Sequence, residues 1–354
     1  MFMEIPKKMK ATILYGPDDL RIEEVDVPDV GPHEVLIKVE VDALCPTGIH
    51  AVHLGKQWGP PGVKIIGMAG HEFSGTVVKI GDAVDNVKVG DRVVADTIIR
   101  CGRCYYCKIG KSNLCENKRN LGYLSWAEYI KTVDYQTYKI PDDLTFEEAA
   151  FTEPLACVLN GFEMLNAKPG KVAVVIGSGP MGLLHMQMLK YAGGVQVIIT
   201  DLIEDRLKKA KELGADEVIN ITKEDPEEKV KELTNGKGAD YVVVTVGNTK
   251  VQESAMKIVA PLGKVLLYAG VHVHGEPQMV INPNLIHYKE VQLMGSYDKT
   301  SEQFQRAINI IAQRTIKVMP LVSHKLPFSK LHEAIEIADK RKGLKVLVYP
   351  SKWE

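Results

Sequence analysis

The stretch "VVIGSGPMG", residues 174–182, places Gly177, Gly179 and Gly182 as G-x-G-x-x-G between an apolar run and an amphipathic one. A strand turning sharply into a helix uses the first glycine for the turn. The second lets backbone approach a pyrophosphate, and the third lets helix and strand pack closely. The helix start, with Pro180 and Met181 between the last two glycines, offers unpaired N–H groups and a partial positive charge to phosphates. Asp201 closes the next apolar run, "VQVIITD". A carboxylate there accepts from both ribose hydroxyls of NAD and repels the extra phosphate of NADP. Arg206, a turn later, is the one feature that softens this preference. A tight turn with no ligand is the plainer alternative, but strand, helix and acid together predict NAD binding.

Outward from this motif, strands and helices alternate through "EDRLKKAKELG", "DYVVVTVG", "KVQESAMKIV" and "GKVLLYAG". Continuous apolar strands between helices predict a parallel sheet covered on both faces, a doubly wound α/β domain of the Rossmann type. Before residue 170 the pattern is one of short strands between Gly and Pro turns, such as "EVLIKVEVDAL", "FSGTVVKIG" and "GDRVVAD", which predicts a compact β-rich domain. From Thr300, "SEQFQRAINIIAQR" carries Phe304, Ala307, Ile308 and Ile311 at helical spacing, and "GLKVLVYP" reads as a closing strand. The expected division is therefore 1–157 with 299–354, and 158–298 between them.

A chain of 354 residues suits two domains, and 45% hydrophobic with 25% charged residues is an ordinary globular balance. A net charge of -1 argues against a nucleic-acid surface or a polybasic membrane anchor. The apolar runs are strand-sized, far short of a membrane span, and "MFMEIPKKMK" lacks the apolar core of a secretion signal. The expected location is the cytoplasm.

Four of the six cysteines crowd into "CGRCYYCKIGKSNLC", as Cys101, Cys104, Cys107 and Cys115. Four thiolates so close in sequence can close a tetrahedron around zinc, and a closed shell makes the site structural, folding a lobe at 97–116. An iron–sulfur cluster or a plain group of reduced thiols are the alternatives. A second, dispersed set comprises Cys45 in "ALCPTGIH", His71 and Glu72 in "GMAGHEFSG", and Glu153 in "FTEPLACVLNG". Each alone suits packing. Together, a thiolate, an imidazole and carboxylates suit a zinc ion with a position left for water or an alcohol oxygen.

In chain order, "CPTGIH", "GHEFSGTVVKIG", "GDRV", the four-cysteine lobe, "EPL" and "GSGPMG" resemble the zinc-dependent medium-chain dehydrogenases over almost the whole length. "EPL" is closer to the sorbitol, polyol and threonine dehydrogenases than to ordinary alcohol dehydrogenases. The resemblance implies a GroES-like catalytic domain, two zinc ions and NAD per chain, a small-molecule alcohol as substrate, and a homotetramer or dimer. It places Cys45 and His71 at zinc-ligand positions, with Glu72 a ligand or an exchangeable one. Glu153 matches the glutamate that binds zinc directly or through water, while Cys157 stands where other members carry a cysteine ligand. Glu153 is favoured, since Cys157 also suits helix packing. Thr47 and His50 match a relay that carries the alcohol proton to solvent.

Two departures stand out. Many relatives read Cys-Gly-Thr-Asp where this chain has Cys45-Pro46-Thr47-Gly48, and the missing aspartate belongs to the groups that orient the zinc-binding histidine. Ser125–Trp126 replaces a common Gly-Gly turn, with Trp126 either shaping a substrate cleft or simply packing. The expected activity is reversible NAD-linked oxidation of a secondary alcohol in a polyol or sugar-type substrate. L-threonine 3-dehydrogenase is the rival, for which Lys299 is the sole candidate cation in "LMGSYDKTSEQ"; a simple alcohol dehydrogenase follows. A catalytically silent NAD- and zinc-binding protein is the alternative from another class.

Overall fold

Strand Val172–Ile176 lies inside a six-stranded parallel sheet in the computed structural model, which describes residues 4–59, 63–191, 195–272 and 275–354. The strand order across the sheet is Glu217–Asn220, Gln196–Asp201, Val172–Ile176, Ala239–Val244, Val259–Leu267 and Gln292–Gly295. The first strand in sequence thus sits between the second and the fourth, and the chain reverses its direction of winding beside it. Ligands bind at that switch point, beyond the carboxyl ends of the strands. Pairs such as Val174↔Ile198 and Val242↔Val174 keep apolar side chains in register, and Val174, Ile198, Val242 and Val265 are fully buried. Helices Pro180–Tyr191, Glu204–Glu212, Pro226–Leu233 and Thr249–Ile258 make the crossovers.

This unit comprises residues 157–298 and 315–317. The last three join it through a two-way bond: Lys317 N–H donates to Gln187 Oε1 at 2.8 Å, and Gln187 Nε2 donates to the Lys317 carbonyl at 3.2 Å. The spacing predicts 299–354 as one piece of the first unit, whereas 315–317 pack with the second.

The other unit comprises residues 1–156, 299–314 and 318–354. Its main sheet orders strands Val322–Pro327, Lys345–Tyr349, Glu34–Ala43, Phe73–Ile80, Arg92–Ala95 and Thr137–Lys139, and Tyr129–Val133 also pairs with Glu34–Ala43. Strands Lys8–Gly16 and Asp19–Asp26 form a separate hairpin. The closing strand joins near the start of the chain, with Leu347 opposite Ala43. Helix Ser301–Ala312 opens with a capping box, Thr300 with Gln303, and buries Phe304, Ala307, Ile308 and Ile311 on one face. Among the described residues, no helix is long and apolar enough to cross a membrane.

Candidate zinc and nucleotide sites

Gly177 turns the chain out of strand Val172–Ile176 with φ +99°, a region costly for any residue with a Cβ. Helix Pro180–Tyr191 then starts at Pro180, whose fixed φ suits the first helical position. At Gly182 a Cβ would lie 1.8 Å from the Gly177 carbonyl oxygen, so helix and strand can meet there only through glycine. Pro180 and Met181 are half-buried at the helix mouth.

Asp201 ends strand Gln196–Asp201 and is fully engaged. Its Oδ2 accepts from Ser178 N–H at 2.7 Å and Ser178 Oγ at 2.8 Å; its Oδ1 accepts from the N–H groups of Leu202 at 2.7 Å and Ile203 at 3.0 Å. The acid therefore ties the glycine turn to the neighbouring strand. Ser178, which the sequence reading passed over, is the hydroxyl in this knot. A Cβ on Gly179 would stand 3.7 Å from Arg206 Nη1, which places that guanidinium beside the turn.

In the cysteine lobe the four Sγ atoms of Cys101, Cys104, Cys107 and Cys115 lie within 4.8 Å of one another. Tyr105, Ile109 and Leu114 are exposed around them, so the lobe has little core of its own. Backbone N–H groups aim at the sulfurs: Cys101 N–H reaches Cys115 Sγ at 3.3 Å, and Cys104 N–H reaches Cys101 Sγ at 3.3 Å. Such donors, those of Arg103 and Cys104 foremost, pull the Cys101 thiol down to about 6, whereas burial pushes Cys107 up. Four close thiols ionise together only around a cation, and an all-thiolate tetrahedral set fits zinc.

The second donor group, in the first unit, unites Cys45, His71 and Glu72, whose ligand atoms also lie within 4.8 Å of one another. Cys45 stands at the N-cap of helix Pro46–His53, in extended backbone, with no side-chain cap bond of its own. His71 and Glu72 immediately precede strand Phe73–Ile80. The His71 ring meets Trp58 edge-on at 5.2 Å, and its Nδ1 lies 3.0 Å from the Ala69 carbonyl oxygen. A carbonyl only accepts, so Nδ1 carries the proton and Nε2 is left with a lone pair for a metal. Thr47, exposed, and His50, half-buried, are three positions apart on helix Pro46–His53 and so share a face.

Glu72 is buried against the Lys345 ammonium. Burial pushes its carboxyl up to about 8; Cys45 and Glu153 push the same way, and Lys345 opposes them. For Lys345, burial disfavours the charge but Glu72 and Cys45 outweigh it, so its pKa is raised. Glu153, in the first turn of helix Thr152–Leu165, does not join the 4.8 Å group. Its Oε1 accepts from Lys299 Nζ at 2.6 Å. Lys299 also faces Asp96 Oδ1 at 3.5 Å, Asp96 pairs with Arg100, and Arg100 Nη2 donates to the Lys299 carbonyl at 2.8 Å. Lys299, Asp96 and Arg100 are all at least 94% buried. Lys299 is thus engaged by two carboxylates. Cys157, on the same helix, is half-buried.

Trp126 is fully buried and packs instead of lining an open surface. Its Nε1 donates to Asp42 Oδ1 at 2.9 Å, and Ser125 Oγ donates to Asp42 Oδ2 at 2.5 Å. Burial pushes the Asp42 carboxyl up to about 7, with the Ser125 bond opposing. The fold therefore favours the protonated acid: its contribution is full below the ordinary carboxylate range and lost as pH rises towards about 7. Asp42→Asn is expected to remove this slope. In urea unfolding, the variant should gain about 3 kcal/mol on the wild type between about pH 5 and about pH 8. Parallel curves for the two proteins would sink the assignment.

Comparison with known proteins bears on both units. Residues 31–142 match the family model described as "Alcohol dehydrogenase GroES-like domain", and residues 180–313 match "Zinc-binding dehydrogenase". A sorbitol dehydrogenase of Bacillus subtilis is 32% identical over 98% of this chain and 99% of its own. An L-threonine 3-dehydrogenase of Bacillus licheniformis is 32% identical over 97% of this chain and 99% of its own. Among solved structures, a putative zinc-binding dehydrogenase of Sinorhizobium meliloti bound to NADP superposes with a TM-score of 0.89. It is 30% identical, and the match covers 98% of this chain and 100% of that one. Zinc and a nicotinamide nucleotide are accordingly the cofactors of this α/β oxidoreductase. With matches running end to end, the chain belongs to the zinc-dependent medium-chain dehydrogenases, in their sorbitol and polyol dehydrogenase branch.

Proposed function

We propose that the protein is an NAD-linked dehydrogenase that oxidises a secondary alcohol of a polyol or sugar-type substrate, reversibly, to the ketone. The observation that carries this reading is the convergence of Cys45, His71 and Glu72 into one donor group. When bound, zinc supplies a Lewis acid for the substrate hydroxyl, and the nicotinamide accepts the hydride. Cys45 and His71 would hold the metal, with Glu72 a ligand or an exchangeable one and Glu153 reaching it directly or through water. Cys101, Cys104, Cys107 and Cys115 hold a structural zinc. Thr47 takes the hydroxyl proton and His50 hands it to solvent.

Gly177, Gly179 and Gly182, with Pro180 and Met181, seat the pyrophosphate, and Asp201 receives the ribose. Its carboxylate already accepts four donors, so the ribose displaces the rotatable Ser178 hydroxyl from it. An acid in that place favours NAD over NADP, with Arg206 tempering the difference. The engagement of Lys299 with Glu153 and Asp96 supports a neutral polyol over threonine, whose carboxylate needs a cation of its own. A cytoplasmic location accords with six cysteines outside any disulfide. Self-association accords with the exposed Tyr288, Val280 and Leu262 of the second unit.

The test is cofactor reduction by the zinc-loaded protein with NAD and with NADP, against sugar alcohols, inositols, sugar acids, L-threonine and short alcohols. Turnover on one polyol group with NAD, abolished by chelation, is the expected result. Turnover on L-threonine alone would move the enzyme to the rival activity.

A further inference from the structure

We infer that the backbone carbonyl of Ala69 is the group that orients His71 on zinc, in the place left by the aspartate missing at Gly48. The inference rests on the proposed zinc site. Three observations meet at this carbonyl. It lies 3.0 Å from His71 Nδ1, a distance at which it fixes the ring's tautomer. Ala69 holds φ +81°, a left-handed backbone that a residue with a Cβ adopts only under constraint. A Cβ built on Gly48 would stand 2.6 Å from the same oxygen and 3.2 Å from the Ala69 Cβ. Any side chain at position 48 therefore collides with the carbonyl, so the aspartate of the relatives and this carbonyl are alternatives.

The strained turn is held from several sides. Thr12 Oγ1 donates to the Met68 carbonyl at 3.0 Å, and Gly67 N–H donates to the Thr12 carbonyl at 2.9 Å. From the other side, Ser125 N–H donates to the Gly70 carbonyl and Trp126 N–H to the Gly67 carbonyl, each at 3.1 Å. Ser125 and Trp126 are themselves anchored on Asp42. The two departures from the family pattern, Gly48 and Ser125–Trp126, thus form one device. The second clamps the turn whose carbonyl replaces the side chain lost at the first. Ala69 and Gly48 are positioning residues here: they act on the metal through His71.

The experiment measures zinc affinity by chelator competition in the wild type and in Gly48→Ala, with the four-cysteine zinc as internal reference. Alanine displaces the carbonyl and offers no acceptor in return, so the expected loss at the second site is about tenfold to a hundredfold, with the reference site unchanged. Imidazole 15N resonances of the zinc-loaded wild type supply a readout that needs no variant: His71 should carry its proton on Nδ1. Unaltered affinity in Gly48→Ala, or His71 protonated on Nε2, would overturn the inference while leaving the zinc site standing. A wild type that holds zinc at the four cysteines alone would overturn both.

Discussion

Cys45→Ala is expected to release the zinc of the first unit's dispersed site, keep the zinc of the four-cysteine lobe, and lower turnover about a thousandfold or more. The thiolate is the softest donor in a group of three, and the two left behind, His71 and Glu72, are a weak pair for zinc. Lewis-acid activation is worth several kcal/mol of barrier, and each 1.36 kcal/mol is a factor of ten. NAD affinity should stay near that of the wild type, since the glycine turn and Asp201 belong to the other unit. Metal analysis alongside steady-state kinetics checks both halves of the expectation. Cys157→Ala serves as the contrast and should keep both metals and most of the turnover. Loss of the same zinc in that variant would transfer the ligand role from Glu153 to Cys157.

Lys299→Met is expected to destabilise the first unit by about 3–5 kcal/mol, because it breaks a buried ion-pair network. Lys299 is 2% exposed and answers Glu153 at 2.6 Å and Asp96 at 3.5 Å. A surface pair makes the scale plain. Lys8 and Asp26, with side chains 53% and 81% exposed, should contribute little despite a 2.8 Å contact. Denaturant unfolding of Lys299→Met, Glu153→Gln and the double variant isolates the coupling. Additive losses would show that the two side chains do not depend on each other.

What could be read from the sequence was what is local in it. The glycine turn, the strand before it and the acid after the next strand lie within 174–201, and their geometry follows from a single strand–turn–helix–strand passage. The cysteine lobe was legible for the same reason, with its four sulfurs within 101–115. The helix at Ser301–Ala312 announced its buried face by spacing alone. What escaped depends on backbone conformation or on residues far apart. Nothing in "GMAGHE" signals that Ala69 is left-handed or that its carbonyl meets His71. Asp42 looked like one more residue of an alternating strand until Ser125 and Trp126 closed over it. Lys299 reads as a candidate cation for a substrate carboxylate, and nothing near Lys345 marks it as buried, since the acids that engage the two lysines, Glu153, Asp96 and Glu72, come from distant segments.

That separation also bears on the order in which the molecule is made. The second unit is an almost unbroken stretch, 157–298, whose neighbouring strands are mostly joined by one helix, so most of its contacts close over short loops. The first unit begins earlier but cannot be completed until Lys345–Tyr349 arrives beside Glu34–Ala43, bringing the cation that Glu72 requires. Ribosomal synthesis would then leave the N-terminal β-rich segment waiting, with an unanswered acid inside it, while the later-made unit folds first. Pulse-labelling hydrogen exchange during refolding should record the same inversion: amides of 172–176 and 239–244 protected early, those of 34–43 late.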